Sequence, residues 1–437
     1  MTSTTKAYRA SILHYLRDPG ENNDASAQQY FADGIMLVEN GKVAKLGSAE
    51  ELLPGLSPGI QLDDYSGKLI IPGLIDTHVH YPQTDIIASY GEDLLHWLNT
   101  YTFPTEGQFG DEEHASEVAE FFLAELLRNG TTTALVLATV HPQSVDAIFN
   151  AAKKRNMRML AGKVMMDRHA PDYLLDTPAS SYEDSAALIE KWHHTDRLHY
   201  AITPRFAPTS SEAQFEMVAK LAQEYPDAYL HSHVAENKKE IEWVKNLFPW
   251  SRSYLDVYDH YGLLRERAVY AHGIYLDKTD RQRMSNTGSS IAFCPTSNTF
   301  LGSGLFDCLQ ALDDGIRVSI ATDVGGGTSF SLIQTLAEAY KVQQLNGKQL
   351  SPGRSMYLAT LGNAKALYLD DKIGNFETGK EADFAVIDFA ATELMERRLK
   401  TTTTLDETLF ALIILGDDRA IYATHVMGEC LHKRDQS

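Results

Sequence analysis

The chain has 437 residues, of which 43% are hydrophobic and 22% charged, an ordinary composition for a soluble globular protein. This length predicts two or three domains, although an α/β barrel can use most of it by itself. The formal net charge of −20 argues against nucleic acid and anionic membranes as partners, because their phosphates would be repelled.

Targeting signals and cysteine usage predict a cytoplasmic protein. No apolar run is long enough to cross a membrane, and residues 1–16 lack the continuous apolar segment of a signal peptide. The three cysteines, Cys294, Cys308 and Cys430, form an odd and sparse set without zinc-finger spacing. We therefore expect reduced thiols at packing or surface positions.

The two ends of the chain predict one small β-domain. Apolar-alternating runs that read as strands occupy residues 34–39, 42–46, 68–71, 379–389 and 421–430. Asn40-Gly41 lies between the first two runs and is a hairpin signal. We predict a small β-sandwich-like domain built from residues 1–71 and 375–437, with a larger domain between them.

The middle of the chain, residues 72–374, predicts a catalytic (β/α)8 barrel of the TIM type. Buried-strand candidates occupy residues 74–78, 132–138, 159–165, 198–203, 229–233, 268–272, 290–294 and 317–321. Helical patterns, such as residues 112–128 and 211–224, lie between most of them. Eight strands that alternate with helices are typical of an α/β barrel.

The most informative motif is PGLIDTHVH, residues 72–80, in which an apolar strand ends in His78 and His80. Residues at i and i+2 of a strand point to the same face. At the carboxyl end of a barrel strand, two such imidazoles can bind one zinc ion. A bare His-x-His would more often be two partly exposed loop histidines, but the preceding strand and Pro-Gly turn favour the metal interpretation.

A second strand ends in HSHVAE, residues 231–236. His233 could complete a set of three nitrogen ligands. Glu236 follows where the chain leaves the strand, and a carboxylate there could move protons to and from a metal-activated water. The alternative is that Glu236 begins a solvated helix with the charged residues Lys238, Lys239, Glu240 and Glu242.

Two later strands end in His272 and in Asp323. A lone histidine is more often a satisfied core residue, but its repetition at successive strand ends favours a site. Asp323 could bind zinc or accept a proton; alternatively, it caps a helix that begins near Ser329. The glycines at 325–327 are not followed by the Gly-Lys-Ser/Thr of a phosphate-binding loop.

Together these residues predict a hydrolytic site with one metal ion. Zinc lowers the pKa of bound water to about 7 and so makes hydroxide available at neutral pH. Thr203-Pro204-Arg205 ends the fourth strand without a lysine that could bridge two metals, and Lys163 lies one strand earlier. Zinc is expected, although imidazole and carboxylate ligands also suit iron.

With these motifs in order, the sequence resembles the amidohydrolase superfamily and, within it, the family of bacterial guanine deaminases. The most specific stretch is residues 72–106, PGLIDTHVHYPQTDIIASYGEDLLHWLNTYTFPTE. Further similar segments are GKVMMD at 162–167, TPRFAP at 203–208, HVAE at 233–236, CPTSN at 294–298 and ATDVGGG at 321–327. One departure is His96, where the family usually has Glu before the tryptophan.

The resemblance implies a role for each residue of the catalytic centre. The implied zinc ligands are His78, His80, His233 and Asp323. Glu236 would shuttle protons together with Asp323, and His272 would hold the nucleophile or the purine ring. The family also implies a homodimer and a place in purine catabolism.

The resemblance also implies a purine-binding wall formed by Gln83, Arg205 and Phe206, with His80, His233 and Glu236 next to the bound base. Arg205 could donate to a carbonyl oxygen of guanine, the Gln83 amide could donate and accept, and Phe206 could cover a ring face. Alternatively, Arg205 forms an ion pair at the barrel rim. The expected reaction is attack of water at C2 of guanine, which releases ammonia and xanthine.

Two other functions remain open from the sequence. The first is an aminohydrolase of the same fold that acts on an adenosine derivative, on cytosine or on a triazine. The second is a catalytically silent barrel kept for assembly or ligand binding. The chain lacks the H-x-E and P-C-x-x-C motifs of the cysteine-ligated zinc deaminases.

Overall fold

The computed structural model describes residues 5–90 and 94–434. The parts of the predicted terminal domain and of the 72–106 stretch that fall on residues 1–4, 91–93 and 435–437 lie outside the described residues. In chain order, the strands are β1 (Thr5–Tyr15), β2 (Gln28–Glu39), β3 (Lys42–Ser48), β4 (Gln61–Pro72), β5 (Leu74–His80), β6 (Thr131–Leu137), β7 (Arg158–Gly162), β8 (Val164–Met165), β9 (Leu198–Pro204), β10 (Tyr229–Val234), β11 (Ala268–His272), β12 (Ser290–Phe293), β13 (Arg317–Ile320), β14 (Phe384–Ile387), β15 (Ile421–Val426) and β16 (Glu429–Lys433).

Helices connect these strands. The α-helices are α1 (Ala49–Leu52), α2 (Leu94–Trp97), α3 (Phe103–Glu106), α4 (Glu112–Arg128), α5 (Pro142–Lys154), α6 (Pro178–Trp192), α7 (Glu212–Glu224), α8 (Lys238–Leu247), α9 (Tyr254–His260), α10 (Lys278–Thr287), α11 (Pro295–Phe300), α12 (Cys308–Asp313), α13 (Leu332–Leu345), α14 (Pro352–Tyr357), α15 (Asn363–Ala366), α16 (Glu393–Leu399) and α17 (Leu405–Leu415). Short 3₁₀ segments occupy Ala25–Ala27, Leu53–Gly55, Tyr81–Ile86, Gly107–Gly110, Asp172–Leu174, Ala207–Thr209 and Asp418–Ala420, and π-helical turns occupy Leu98–Thr102 and Leu358–Gly362. Within the described residues, no helix combines the length and the apolar character that a membrane span requires.

The predicted α/β barrel is confirmed. Strands β5, β6, β7 and β9 to β13 pair side by side in parallel, in that order. The two edges of this sheet meet, because the Asp323 N–H donates to the His78 carbonyl oxygen at 3.0 Å and the His80 N–H donates to that of Val324 at 2.7 Å. Closure therefore brings the carboxyl ends of the first and last strands together. The predicted strand at 159–165 is in fact two strands, β7 and β8, separated at Lys163.

The barrel interior is filled with apolar side chains at the level below the strand ends. Ile75, Leu135, Leu160 and Val269, each from a different strand, are buried within one cluster there. Tyr229 is buried in the same cluster, and its hydroxyl donates to the carbonyl oxygen of Leu367 at 2.6 Å. The interior is thus a packed core, which leaves the carboxyl ends of the strands as the accessible end.

The two chain termini build one separate sheet, which confirms the predicted composite β-domain, whereas its sandwich-like form stays a prediction. Its strand order is β16-β15-β14-β4-β1-β2-β3, and every pair is antiparallel except β1 with β4. Asn40 and Gly41 have φ values of 52° and 79° and turn β2 into β3, as the hairpin signal predicts. The predicted strand at 421–430 is two strands, because Met427-Gly428 forms a turn, and β1 was not predicted. The domain boundaries at residues 72 and 375 stay predictions.

Candidate active site

Three histidine side chains converge at the carboxyl ends of two barrel strands. His78 and His80 lie on β5, and His233 lies on β10. Their Nε2 atoms lie 3.3 Å apart for His78 and His80 and 3.2 Å apart for His80 and His233. This group is called the strand-end cluster below.

The Asp323 carboxylate adds an oxygen to this cluster. Its Oδ1 lies 3.3 Å from His78 Nε2 and 3.5 Å from His80 Nε2. Four ligands about 2.0–2.1 Å from a tetrahedral zinc ion are separated from one another by roughly 3.3 Å. The spacing of these nitrogen and oxygen atoms, together with their chemistry, therefore fits one zinc ion held by His78, His80, His233 and Asp323.

Two of the three histidines in the strand-end cluster form outer hydrogen bonds through Nδ1. The Nδ1–H of His233 donates to the carbonyl oxygen of Arg205 at 2.7 Å, and His78 Nδ1 bonds to His231 Nε2 at 2.7 Å. Burial, followed by the charges of neighbouring imidazoles, holds the pKa of His80 and of His233 well below its usual value. Neutral imidazoles with Nδ1 engaged present Nε2 lone pairs to a metal.

Glu236 lies in the same pocket and does not belong to a solvated helix. It is 3% exposed, and α8 begins two residues later at Lys238. Its Oε1 accepts a hydrogen bond from Ser303 Oγ at 2.6 Å, and its Oε2 lies 3.3 Å from His272 Nε2. Burial raises the pKa of Glu236, which favours a carboxyl group that gains and releases a proton.

His272 is held between the two carboxylates of the site. Its Nδ1 contacts Asn298 Oδ1 at 2.9 Å, and its Nε2 lies 3.9 Å from Asp323 Oδ2. Burial lowers the pKa of His272, but the charges of Glu236 and Asp323, the hydrogen bond to Asn298 and the charge of Glu240 together raise it above its usual value. His272 can therefore donate a hydrogen bond or a proton next to both carboxylates.

Left-handed backbone turns aim these side chains. Ala235, His272 and Asp323 have φ values of 48°, 73° and 53°, a region that residues other than glycine rarely adopt. Each lies in or next to the point where a barrel strand ends. Such conformations concentrate at functional sites, where the surrounding structure holds them in place.

The three glycines after Asp323 allow close packing. A Cβ atom at Gly325 would lie 2.6 Å from the Gln83 carbonyl oxygen, and one at Gly327 would lie 1.8 Å from that of Thr322. The alternative that Asp323 caps the next helix is wrong, since α13 begins at Leu332 with Ser331 as its N-cap.

Gln83, Arg205 and Phe206, the residues of the implied purine-binding wall, all line the same pocket. The lining residues are His80, Gln83, Trp97, Leu98, Arg205, Phe206, His233, Glu236, Glu240, His272, Leu301, Asp323 and Gly326. The predicted substrate-binding and proton-transferring residues thus share one pocket, and His78 lies next to it, with its Nε2 3.3 Å from that of His80.

Two further carboxylates belong to the site and were not singled out in the sequence. Glu106 contacts Gln83 and Arg205, and Glu240 accepts hydrogen bonds from the backbone N–H groups of Glu236 and Asn237 at 3.0 and 3.1 Å. Burial and the charge of Glu236 raise the pKa of Glu240 to about 7. Asn237 and Glu240 form a capping box, and this spacing is a sequence signal for the tight turn.

The lysine, the histidine and the cysteines that the sequence analysis did not assign to the site do not line the pocket. Lys163 is fully buried, and its Nζ forms an ion pair with Asp176. His96 is exposed, Cys294 and Cys308 are buried and Cys430 is exposed. Burial raises the pKa of the Cys294 thiol well above its usual value, which disfavours a reactive thiolate.

Comparison with known proteins gives a consistent result. Residues 69–431 match the amidohydrolase family. Guanine deaminase of Escherichia coli K12 is 53% identical over 433 residues, which cover 99% of each chain. The solved structure of E. coli guanine deaminase superposes with a TM-score of 0.96 over 98% of this chain and 100% of that one, again with 53% identity. A structure of guanine deaminase from C. acetobutylicum with bound guanine has a TM-score of 0.88 and 30% identity over 98% of this chain and 100% of that one.

Proposed function

The chain belongs to the amidohydrolase family, and we propose that it catalyses the zinc-dependent hydrolysis of guanine to xanthine and ammonia. The observation that carries this proposal is the pocket lined by three of the proposed ligands, His80, His233 and Asp323, together with Gln83 and Arg205. Relatives that carry the name guanine deaminase, at up to 53% identity over nearly the whole chain, support guanine as the substrate.

The chain's own residues would bind the base and move its protons. A zinc ion held by the strand-end cluster and Asp323 would supply ionised water as a nucleophile at neutral pH. Arg205 would donate to the guanine carbonyl oxygen, and the Gln83 amide would bond to the ring edge. Phe206, which is buried in the pocket wall, would cover part of a ring face.

Proton transfer would use one defined oxygen of Glu236. Ser303 occupies Oε1, so Oε2 would take a proton from the attacking water and return it to the leaving amine. His272, 3.3 Å from that oxygen, would stabilise the charge that Glu236 carries between the two transfers. Asp323 Oδ2, on the other side of His272, would also accept and release a proton during the reaction.

The proposed function also suggests a pathway, a cellular location and an oligomeric state. We propose that the protein takes part in purine catabolism in the cytoplasm, where its free cysteines stay reduced. We also propose a homodimer, on the family resemblance, and no nucleic-acid partner, on the charge of −20.

The test is the release of xanthine and ammonia from guanine, before and after chelation of the metal. We expect equal amounts of both products, loss of turnover on chelation, and recovery on addition of zinc. Parallel assays with zinc and iron would identify the more effective metal. Turnover of adenine, cytosine or adenosine would indicate one of the alternative aminohydrolases. A wild type that binds no metal when purified and turns over none of these compounds would indicate a catalytically silent barrel.

The Glu236→Gln variant tests the proton transfer separately from metal binding. General acid–base catalysis contributes roughly 10²–10⁴-fold, so turnover should fall by that factor while one zinc ion per chain remains bound. Glu242→Gln, at an exposed position on helix α8 shortly after Glu236, is the matched control and should retain full turnover. Near-normal turnover of Glu236→Gln would remove Glu236 from the mechanism.

A further inference from the structure

One buried carboxylate joins the two polar residues of the proposed purine-binding wall. Glu106 is the last residue of α3 and has no exposed surface. Its Oε1 accepts a hydrogen bond from Gln83 Nε2 at 3.0 Å, and its Oε2 accepts one from Arg205 Nη1 at 2.7 Å. Glu106 does not itself line the pocket.

Only a carboxylate satisfies both neighbours of Glu106. The Gln83 amide nitrogen and the Arg205 guanidinium are both donors, and an ionised carboxylate accepts at both oxygens. A glutamine at this position would accept from one neighbour and present an NH₂ group to the other. One buried donor would then face a second donor, and the Arg205 charge would lose its counter-ion.

The remaining contacts restrict how Gln83 and Arg205 can meet a ligand. The Gly325 N–H donates to Gln83 Oε1 at 3.3 Å, so the Gln83 amide keeps one N–H and one lone pair for other partners. The Arg205 guanidinium lies 5.7 Å from the centre of the Phe103 ring, on the helix that also carries Glu106. Helix α3 therefore contacts Arg205 in two ways: Glu106 pairs with the guanidinium charge, and Phe103 lies against the flat face of the guanidinium.

Arg205 also connects this wall to the proposed metal site. Its carbonyl oxygen accepts the hydrogen bond from His233 Nδ1 at 2.7 Å. The guanidinium of the same residue pairs with Glu106, so the backbone of Arg205 contacts one site and its side chain the other. Movement of the guanidinium would therefore change how the base sits relative to the strand-end cluster.

We propose that Glu106 is a positioning residue that sets the selectivity of the pocket for purines with a carbonyl oxygen, an inference that rests on the proposed function. It fixes the Gln83 amide in one orientation and aims the free N–H groups of Arg205 at the carbonyl oxygen of the base. A site built in this way rejects analogues that leave its polar groups unpaired.

The test is Glu106→Gln in the zinc-loaded enzyme, with guanine as substrate and two competitive inhibitors. Hypoxanthine carries the ring carbonyl and purine does not. A hydrogen bond to a charged group contributes 10-fold or more to binding. We expect KM for guanine to rise by about 10-fold or more and kcat to change by less than about threefold. The preference for hypoxanthine over purine should disappear.

Two further variants separate positioning from a loss of stability. Glu381→Gln removes another buried carboxylate, one that accepts from Arg158 and Arg197 away from the pocket, and should lower Tm without changing KM or inhibitor preference. Arg205→Gln is compared with the double variant Arg205→Gln/Glu106→Gln to test the pairing. The double variant contains no unpaired buried charge, so it can replace Glu106→Gln should that single variant fail to fold. The double variant should match Arg205→Gln in KM within about threefold, since interacting residues are not additive.

Three results would overturn the proposal. These are an unchanged KM and inhibitor preference in Glu106→Gln, a double variant that is at least 10-fold worse than Arg205→Gln, and equal binding of hypoxanthine and purine to the wild type. A wild type that does not deaminate guanine would instead contradict the proposed function. Direct binding of hypoxanthine and purine would still measure the effect of Glu106 in that case.

Discussion

Two groups of three histidines lie at opposite ends of the barrel strands. The strand-end cluster of His78, His80 and His233 lies at the carboxyl ends. The second group, His193, His194 and His199, lies near the start of β9 and is called the strand-start cluster here. In both groups the candidate ligand atoms lie within 4.8 Å of one another, so proximity alone does not distinguish them.

The hydrogen-bond partners of the outer ring nitrogens do distinguish them. In the strand-end cluster, a carbonyl oxygen accepts from His233 Nδ1, which leaves the Nε2 lone pair free for a metal. In the strand-start cluster, the backbone N–H of Tyr200 donates to His193 Nδ1 at 3.0 Å, and Arg158 donates to His199 Nε2 at 2.9 Å. These donors occupy the lone pairs of His193 and His199.

The consequence is a difference in tautomer. A neutral imidazole has one lone pair and one N–H, so His193 Nε2 and His199 Nδ1 carry protons when their other nitrogens accept. The strand-start cluster therefore offers a metal only the exposed His194, whose Nε2 already bonds to Asp227 at 2.6 Å. The comparison teaches that the outer partners of imidazoles, more than their number, determine a metal site.

The strongest test of this difference in metal binding is to remove one histidine from each cluster. His233→Ala should lose the metal and reduce guanine turnover by at least about 10³-fold, since the metal supplies several kcal/mol of barrier reduction. His199→Asn should retain one zinc ion per chain and near-normal turnover. Elemental analysis and xanthine release measure both variants. Loss of zinc from His199→Asn, or more than one ion per wild-type chain, would contradict the comparison.

A smaller effect is expected from the outer partner of a proposed ligand. His231 is buried and its Nε2 bonds to His78 Nδ1 at 2.7 Å, but it is not a proposed ligand. His231→Ala should weaken zinc affinity by about 10–100-fold. His231→Asn, which keeps an acceptor oxygen, should recover part of this affinity. Zinc competition with a chromogenic chelator measures both, and equal affinities for the wild type and His231→Ala would show that this bond does not orient His78.

Much of the barrel and of its strand-end chemistry could be predicted because both depend on local pattern. His78 and His80 are two residues apart on an apolar strand, so the sequence itself places them on one face. His233, His272 and Asp323 follow at later strand ends, and parallel strands that close into a barrel bring their carboxyl ends together. All eight barrel strands were predicted, with one of them divided at Lys163.

The features that were missed depend on packing between distant segments. Strand β1 is set by pairing with β2 and, in parallel, with β4, whose paired residues come at least 55 positions later in the chain, as for Lys6 and Gln61. Glu240 stands in a charged run that looks solvated, yet α8 turns it inward. Glu106 is buried next to Gln83 and Arg205, which approach it from two other elements.

The smallest expected effect concerns stability rather than activity, and it sharpens the description of the strand-start cluster. Burial, followed by the charge of Arg158, lowers the pKa of His199 to about 3. The usual value for histidine is about 6.5. Between these values the unfolded chain binds a proton at this residue and the folded chain does not. His199 should therefore make the protein less stable as the pH falls from about 6.5 towards 3.

His199→Asn removes this titration and should flatten the pH dependence of unfolding. From pH 8 to pH 4.5, the metal-free wild type should lose of the order of 2 kcal/mol more stability than His199→Asn, with the variants compared by urea unfolding at each pH. His260→Asn, at an exposed position, should follow the wild type. A His199→Asn curve parallel to that of the wild type would mean that His199 is protonated in the folded state at acidic pH. The contact with Arg158, which requires a free lone pair on His199 Nε2, would then be wrong, and with it the tautomer assigned to that ring.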